Sequence, residues 1–346
     1  MSFKHHINTK LALVALVLGL SACQGGGRDQ ALAPALRFET PQDLLDAALN
    51  CESFEHPDTE PVLLVHGTFT YGEEQYSWNY LPWLREQGFD VCVVSYPDRG
   101  FGDQQISAEY VANAVLRMHE MSGGRMVDMI GHSQGASMPR WAIKFWPEVR
   151  AVLDDFIMHA APNHGTEVAA AGLIGLPLVP AAFYQFAPDS NFVTVMNLGD
   201  ETPGEIDYTS IYTLTDELVQ PQFPVSTSAL EPGQDNPRLS NIAIQDVCPL
   251  WVVEHLTIGT TDGPTALLTV DALRNDGPAN IERAGGASIC LFPTILAPGT
   301  SVPGLFAAGA GFATAIPDGD FLTGEEPPLK PYAQRELDAG ADAPGR

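Results

Sequence analysis

The chain has 346 residues, of which 45% are hydrophobic and 9% aromatic, so it can bury a sizeable core and is not a disordered chain. Its 43 acidic and 17 basic residues give a formal net charge of −26 at pH 7. A nucleic-acid-binding protein needs a basic surface to neutralise phosphates, so we expect no nucleic-acid partner. An anionic membrane surface or an acidic substrate would also be repelled.

The N-terminus has the pattern of an export signal. Two lysines precede a wholly apolar run at 11–20, which is too short to span a bilayer as a helix but suits the core of a signal peptide. The sequence LSAC at 20–23 is typical of a bacterial lipobox. It predicts a signal peptide at 1–22 and lipidation of Cys23. The alternative is an ordinary secretory signal with an incidental cysteine.

The remaining chain is interpreted as a tether over 23–43 and one domain over 44–346. No stretch after the tether has the composition of an interdomain linker. The residue after Cys23 is not Asp, which by similarity to other lipoproteins favours the outer membrane in a cell that has one. We expect an exported, lipid-anchored monomer, with secretion as the alternative.

Four cysteines follow the tether: Cys51, Cys92, Cys248 and Cys290. An even number in an exported protein indicates two disulfide bonds, and the sequence alone permits three pairings. Four buried free thiols are the alternative.

The predicted elements alternate between strands and helices as far as residue 161. A short helix at 41–50 comes first. Buried strands are predicted at 61–65, 89–96, 126–130 and 153–161, and helices at 78–87, 107–121 (with Ser107 as N-cap) and 134–146. This alternation predicts an α/β fold with a mainly parallel central sheet and helices on both faces.

The pattern changes after residue 165. Residues 168–186 are apolar, rich in Ala and Gly, and interrupted by two prolines. A further strand is predicted at 211–215, a Pro-rich loop at 221–237, and a strand-like run at 249–253.

The strongest local motif is GHSQG at 131–135, which lies between a predicted strand and a predicted helix. That context is the one a G-x-S-x-G nucleophile elbow requires, because the tight turn leaves no room for side chains at Gly131 and Gly135. We therefore expect Ser133 to be a nucleophile. The alternative is a structural turn that matches the motif by accident.

A serine hydroxyl needs a base to take its proton, and in folds of this type the order along the chain is Ser, acid, His. His159 and His164 come too early to leave room for an acid. His255 is the only late histidine and follows the strand-like run at 249–253, so it is the expected base; a surface or core histidine is the alternative.

The acid is expected at a strand end between the nucleophile and the base. Asp216 directly follows the strand predicted at 211–215, whereas Glu217 is expected to face away and Asp200 and Asp207 to lie in polar loops. Asp216 would orient the histidine and stabilise its charged form. A helix N-cap is the alternative role.

An oxyanion needs fixed hydrogen-bond donors. The backbone N–H of Gln134 is one candidate, because it follows the nucleophile. The loop after the first predicted strand supplies the second, in which Thr68 offers its N–H and its hydroxyl. An ordinary glycine turn is the alternative for that loop.

The chain resembles the α/β-hydrolase serine lipases from about residue 44 to residue 333. The resemblance rests on LLDAALNC (44–51), LLVHGTFTYG (63–72), SQG of the elbow, APNHGT (161–166), YTLTDELVQPQ (212–222), VCPLWVVEH (247–255) and EPPLKPYA (326–333). It implies an α/β-hydrolase fold, a triad of Ser133, Asp216 and His255, and oxyanion donors at Thr68 and Gln134.

The resemblance also implies the pairings Cys51–Cys92 and Cys248–Cys290 and a substrate-binding position at Gln185. The chain departs from the lipases that it resembles in two places. The elbow has Gly131-His132 where the lipase pattern has a bulkier pair of residues, and a C-terminal disulfide bond has no counterpart because no cysteine follows Cys290. Acyl-chain preference therefore does not transfer.

These residues predict a carboxylic ester hydrolase, in the first place a triacylglycerol lipase or esterase, with a lipid or ester as its substrate. A polyester depolymerase or an acyltransferase with the same triad, and a non-catalytic binding lipoprotein, are the alternatives. The apolar segment at about 168–198 is either a cap or lid that forms an acyl-pocket wall, or a pair of core helices. We expect no cofactor and no metal site, because no cluster of ligand residues has a metal-binding spacing.

Overall fold

The computed structural model describes residues 36–172, 176–231, 233–296 and 320–341. The predicted signal peptide, the lipobox and Cys23 lie outside these ranges, as do residues 173–175 of the apolar segment. Among the described residues, no helix is both long enough and apolar enough to cross a membrane.

A seven-stranded sheet forms the centre of the described domain, in the order β1-β3-β2-β4-β5-β7-β8. All neighbours are parallel except β1, which is antiparallel to β3. The strands are β1 Leu49–Cys51, β2 Val62–Val65, β3 Val91–Val94, β4 Val127–His132, β5 Leu153–His159, β7 Asp207–Tyr212 and β8 Leu239–Ala243, while β6 Val179–Pro180 pairs with β9 Leu322–Thr323 in a separate ribbon. The mainly parallel α/β architecture predicted from the sequence is confirmed.

Helices cover both faces of the sheet. Their bounds are α1 Gln42–Ala47, α2 Gly72–Tyr76, α3 Tyr80–Glu86, α4 Gln104–Met121, α5 Gln134–Ser137, α6 Pro139–Phe145, α7 Pro147–Arg150, α8 Glu167–Gly172, α9 Ala181–Gln185, α10 Asn191–Met196, α11 Ile244–Val247, α12 His255–Ile258, α13 Gly263–Arg274 and α14 Pro331–Ala341. Alternate residues of β2 face opposite cores: Leu63 packs with α4 and α6, and Leu64 packs with α3 and α13. A strand buried on both faces in this way has no polar alternation, which is why its sequence is continuously apolar.

The N-terminal boundary of the domain lies earlier than residue 44. Leu36 accepts a hydrogen bond on its carbonyl from Trp146 Nε1 (3.1 Å), and the backbone N–H groups of Glu39 and Thr40 donate to the Glu109 carboxylate. Residues 36–43, expected to be tether, therefore pack against the fold. The helix expected at 41–50 is shorter, because the chain turns at Ala48 into the edge strand β1.

Two strand assignments next to the candidate site residues differ from the sequence prediction. β7 begins at Asp207, which was expected to lie in a loop, and ends at Tyr212, so Asp216 stands four residues beyond the strand. The run at 249–253 is not a strand, and Leu250 within it is 96% exposed. The strand next to β7 at the edge of the sheet is instead β8, which was not predicted.

The helix predicted at 107–121 begins at Gln104 rather than after Ser107. Its N-cap is Asp103, whose Oδ1 accepts from the backbone N–H of Gln105 at 2.9 Å. Ser107 is buried inside the first turn.

Both cysteine pairs implied by the resemblance are bonded in the structure. Cys51 and Cys92 stand directly opposite each other on β1 and β3, with their Cα atoms 4.4 Å apart. Cys248 follows α11 and is joined to Cys290, with a Cα separation of 5.8 Å. The first bond therefore ties the edge of the sheet, and the second ties the segment that leads to His255.

Candidate active site

The turn after β4 places Ser133 at the carboxyl edge of the sheet. Ser133 has φ +56° and ψ −121°, a conformation that residues other than glycine rarely adopt. The two glycines of the motif make this turn possible: a Cβ on Gly131 would lie 1.8 Å from the Gly135 carbonyl oxygen, and one on Gly135 would lie 2.2 Å from the carbonyl oxygen of His66. The motif is thus a strained strand–turn–helix element, as its sequence context indicates.

Three side chains from separate segments form a hydrogen-bonded chain. The Oγ of Ser133 lies 2.9 Å from Nε2 of His255, and Nδ1 of His255 lies 2.8 Å from Oδ2 of Asp216. Asp216 and His255 are buried, with 2% and 5% of their surface exposed. Because a carboxylate faces Nδ1, the ring carries its proton there and presents Nε2 as the acceptor toward the serine hydroxyl.

The carboxylate of Asp216 is itself fixed. Its second oxygen, Oδ1, accepts from the backbone N–H groups of Leu218 (2.9 Å) and Val219 (2.8 Å). These bonds fix the orientation of the carboxylate and leave Oδ2 for the histidine. The loop 213–219 also contacts the segment before His255, because the hydroxyls of Thr213 and Thr215 both donate to the carbonyl of Val253.

Glu217 does not face away as expected. Its Oε2 accepts from the backbone N–H of His255 at 3.1 Å. Glu217 therefore holds the backbone of the histidine, while Asp216 holds the ring.

The second residue of the elbow, His132, also bonds to the backbone of His255. Gly67 donates its N–H to Oε1 of Gln75 (2.8 Å), which fixes the orientation of the Gln75 amide. The Nε2 of Gln75 then donates to Nδ1 of His132 (3.1 Å), and Nε2–H of His132 donates to the carbonyl of His255 (2.8 Å). One network thus joins the loop after β2, the elbow and His255.

His132 is neutral in this network. Burial, and secondarily the nearby His255, lowers the pKa of His132 well below its ordinary value. The ring fits because residue 259 is a glycine, since a Cβ there would lie 2.0 Å from Cδ2 of His132. Neither Gln75 nor His132 was predicted to have a role. The sequence signal was only the histidine inside the elbow, and nothing in the sequence linked it to Gln75.

The other two histidines after the nucleophile have different partners. His159 is buried at the end of β5, where its Nε2 bonds to Oγ1 of Thr269 at 2.8 Å. His164 lies 3.1 Å from Oε1 of Glu201. The backbone carbonyl of His159 accepts from the N–H of Ser133 at 2.9 Å, but among the described residues His255 is the histidine whose ring bonds to the Ser133 hydroxyl. The geometry therefore leaves His255 as the base candidate.

Thr68 lies beside the elbow. Its hydroxyl donates to Oε1 of Gln134 at 3.1 Å, so the loop after β2 and the first residue of α5 meet next to Ser133. The side chain of Gln134 is fully buried, and its backbone N–H belongs to the first turn of α5. The two residues expected to bind an oxyanion are therefore brought together at the same edge as the serine.

Gln185 is 99% buried, and both ends of its side chain bond to the start of α4. Its Nε2 donates to Oδ1 of Asp103 (2.6 Å), and its Oε1 accepts from the backbone N–H of Gln104 (2.8 Å). Near it, the rings of Phe69, Phe101 and Phe183 form a cluster, with Phe69 and Phe183 centroids 6.2 Å apart. Phe69 directly follows Thr68, so the apolar segment that contains Phe183 lies against the candidate oxyanion loop.

Comparison with known proteins shows the family to which the chain is similar. Residues 59–236 match the family model of the class 2 lipases. Lipase B of Pseudozyma antarctica is 30% identical over 223 residues, which is 63% of this chain and 63% of that protein. A triacylglycerol lipase of Pseudomonas fragi is 30% identical over 112 residues, covering 32% of this chain and 36% of the relative. The crystal structure of Aspergillus fumigatus lipase B superposes with a TM-score of 0.74 at 26% identity, covering 90% of this chain and 76% of that one.

The sheet order, the elbow and the position of the serine at the carboxyl edge define an α/β hydrolase. Within that class, the chain belongs to the class 2 lipase family, whose model matches half of it. The alignment spans 63% of the length of the Pseudozyma relative, which is less than two thirds.

Proposed function

We propose that the protein is a serine hydrolase of carboxylic esters, and specifically a triacylglycerol lipase or esterase. The observation that carries this proposal is the hydrogen-bonded chain from Ser133 Oγ through His255 to Asp216, with steps of 2.9 and 2.8 Å. Membership of the class 2 lipases and the similarity to two lipases support the same reaction.

In this mechanism, Ser133 Oγ attacks the ester carbonyl carbon while its proton passes to Nε2 of His255. Collapse of the tetrahedral intermediate expels the alcohol, which takes that proton from His255, and leaves an acyl group on Ser133. Water then attacks the acyl group with the same proton transfers and releases the carboxylic acid. Asp216 stabilises the imidazolium formed in each half-reaction.

The negative oxygen of each tetrahedral intermediate needs donors that are already in place. We assign this role to the backbone N–H of Gln134 and to the N–H and hydroxyl of Thr68. In the resting structure the hydroxyl donates to Gln134 Oε1, so it must turn from that oxygen toward the substrate. The short helix α5 also directs its N-terminal N–H groups toward the site.

A lipid substrate is favoured by apolar side chains exposed on the segments that carry the acid and the base. Leu218 is 43% exposed two residues after Asp216, and Val252 is 81% exposed three residues before His255. We further propose that the segment at about 168–198 forms part of the acyl-pocket wall, because Phe183 contacts Phe69. In that arrangement Gln185 fixes the position of this segment by its hydrogen bonds to the start of α4.

The test is hydrolysis of p-nitrophenyl esters of increasing chain length, with triglyceride emulsions alongside. We expect turnover of both substrates in the wild type and almost none in Ser133→Ala, whose fold is checked by circular dichroism. Hydrolysis by Ser133→Ala at the wild-type rate would contradict the proposal, as would a wild type that hydrolyses no ester.

We propose that the protein reaches the cell envelope as a lipoprotein with Cys23 as its first mature residue. Support comes from the LSAC sequence at 20–23 after an apolar run, and from the two disulfide bonds, which are typical of exported proteins. A diacylated cysteine with an acylated amino group provides enough hydrocarbon for stable anchoring. Cys23→Ser should release the protein from the membrane fraction. An unmodified Cys23 in the intact mass of the native protein would contradict the proposal.

A further inference from the structure

Three carboxylates converge at the amino ends of the central strands. Ser133 lies at the other end of the same strands, at the carboxyl edge of the sheet. Asp128 is the second residue of β4, and Asp154 and Asp155 are the second and third residues of β5. The pairing of β4 with β5 shifts at this point, so that both β5 aspartates lie opposite Asp128 alone. A local irregularity of the sheet thus gathers three acidic side chains where a regular register would place two.

The spacing of these carboxylates suits a single cation. One oxygen from each of Asp128, Asp154 and Asp155 can be chosen so that all three lie within 4.8 Å of one another. Oxygens bound to one Ca²⁺ at roughly 2.3–2.6 Å can be no more than about 5 Å apart. The cluster therefore has the dimensions of one half of a calcium coordination sphere, with the remaining positions open to water.

The buried members of the cluster have little compensation among the described residues. Asp128 is 1% and Asp155 is 6% exposed. The Oδ1 of Asp155 is buried and has no hydrogen-bond partner among the described residues, while Oδ1 of Asp128 accepts only a long bond, 3.3 Å, from the N–H of Asp155. Buried carboxylates are costly unless they are hydrogen-bonded, paired, protonated or bound to a metal.

The surroundings are acidic rather than neutralising. The cluster lines a cavity of about 550 Å³ to which Glu60 and Asp207 also contribute. Two arginines reach the cavity, but Arg238 is paired with Glu205 and Asp207, and Arg274 bonds to the carbonyl of Gln87. Burial and the neighbouring carboxylates accordingly raise the pKa values of Asp128 and Asp155.

We propose that Asp128, Asp154 and Asp155 form a structural binding site for a divalent cation of the calcium class. All the donors are carboxylate oxygens, which Ca²⁺ prefers, and the partly exposed Asp154 gives the ion a path from solvent. The ion would join β4 to β5 at the amino end of β4, whereas Ser133 follows the carboxyl end of that strand. Its effect is therefore on the stability of the sheet and not on the ester chemistry.

The experiment measures thermal unfolding of the full chain after treatment with EDTA, with and without millimolar CaCl₂. We expect Ca²⁺ to raise the wild-type Tm by about 3 °C or more, since a ligand that binds only the folded state stabilises it. NaCl of equal ionic strength should give a smaller rise. Isothermal titration with CaCl₂ should show a single site in the wild type.

Asp155→Asn should lose both the Ca²⁺-dependent rise and the binding heat, whereas the matched control Asp235→Asn, which removes an exposed carboxylate elsewhere, should retain both. If Asp155→Asn does not fold, Asp154→Asn serves instead and should weaken Ca²⁺ binding at least tenfold. Equal rises in the cluster variant and the control would show general charge screening and overturn the proposal. Absence of both the Tm rise and the binding heat in the wild type would likewise overturn the proposal.

Discussion

His132 donates its Nε2–H to the backbone carbonyl of His255 at 2.8 Å, so the residue before the proposed nucleophile holds the backbone of the proposed base. Glu217 accepts from the N–H of the same residue at 3.1 Å. The peptide groups on both sides of the His255 side chain are therefore fixed, independently of the bond between its ring and Asp216. The position of Nε2 relative to Ser133 Oγ depends on all three contacts.

His132→Ala should lower kcat by about 10- to 100-fold with little change in KM, because small misplacements of a base are costly while substrate contacts are preserved. Steady-state kinetics at a temperature well below Tm checks this. The control is His56→Ala, which removes an exposed histidine and should leave kcat unchanged. If His132→Ala kept the wild-type kcat, the carbonyl bond would have no part in positioning the base.

Conversion of the carboxylate to an amide should lower kcat far more at Asp216 than at the adjacent Glu217. Asp216→Asn should lower kcat by about 10³- to 10⁴-fold, because an amide opposite Nδ1 no longer stabilises the imidazolium or fixes the productive tautomer. Glu217→Gln should cost less than about tenfold, since the amide oxygen can still accept from the backbone N–H of His255. The measurement is kcat of both variants on the same p-nitrophenyl ester, so that each variant serves as the control for the other. The reverse order of effects would make Glu217 the acid.

Removal of the Thr68 hydroxyl should affect the transition state more than substrate binding. Thr68→Val keeps the size of the side chain and the backbone N–H, and we expect kcat to fall by about 10²-fold, the usual effect of losing one oxyanion donor. Thr68→Ser restores the hydroxyl and should recover most of the activity. Equal rates for the Val and Ser variants would show that only the backbone of this loop binds the oxyanion.

The elbow was predictable from sequence because backbone sterics specify it almost completely. Only glycine fits at Gly131 and Gly135, since a Cβ at either position would meet carbonyl oxygens closer than 2.5 Å. The strongly apolar strands around it were predictable for a related reason, as they are buried on both faces of the sheet.

The segment that carries the proposed base was predicted less well, because apolar composition does not reveal what covers a side chain. Leu250 and Val252 have the composition of a strand but are exposed, whereas β8, with the sequence LSNIA, contains Ser240 and Asn241. Asn241 is accommodated because its side-chain amide bonds to the backbone of Leu230. That partner is eleven residues away along the chain, and no local pattern indicates it.

The prediction for Asp216 identified a residue that the structure brings to His255, but through wrong local reasoning. The strand ends at Tyr212, and Asp216 reaches His255 because Thr213 and Thr215 bond to the carbonyl of Val253 and close the loop. The Gln75–His132 network and the aspartate cluster at the amino edge depend on contacts between distant segments, so neither had a sequence signature.

The two disulfide bonds should differ in their effect on activity. Each spans 41 or 42 residues, which corresponds to roughly 4 kcal/mol of stability in the chain-entropy model. Loss of Cys51–Cys92 should mainly lower Tm, because it ties an edge strand. Loss of Cys248–Cys290 should also lower kcat in protein that is still folded, since it releases the segment leading to His255. The two Cys→Ser double variants are compared by kinetics below both Tm values, and full kcat in Cys248→Ser/Cys290→Ser would contradict this difference.

His159 should make the free energy of unfolding depend on pH. Burial lowers the pKa of His159 to about 3, and its Nε2–H donates to Thr269, whose own hydroxyl donates to the carbonyl of Thr265. The folded state therefore keeps this ring neutral, whereas the unfolded chain protonates it below pH of about 6.5. The unfolded state binds the extra proton, so the contribution of His159 to stability is present above that pH and is lost as the pH falls, by about 1.4 kcal/mol per pH unit.

His159→Gln removes this titration, so the stability advantage of the wild type over the variant should shrink by about 1.4 kcal/mol for each pH unit between about 6.5 and about 3. Urea unfolding of both proteins at a series of pH values from neutral to acid measures the difference, in which the contributions of all other groups cancel. His56→Gln, at an exposed position, should give a difference that does not vary with pH. A difference between the wild type and His159→Gln that stays constant over this range would mean that the ring takes up its proton in the folded state as readily as in the unfolded chain.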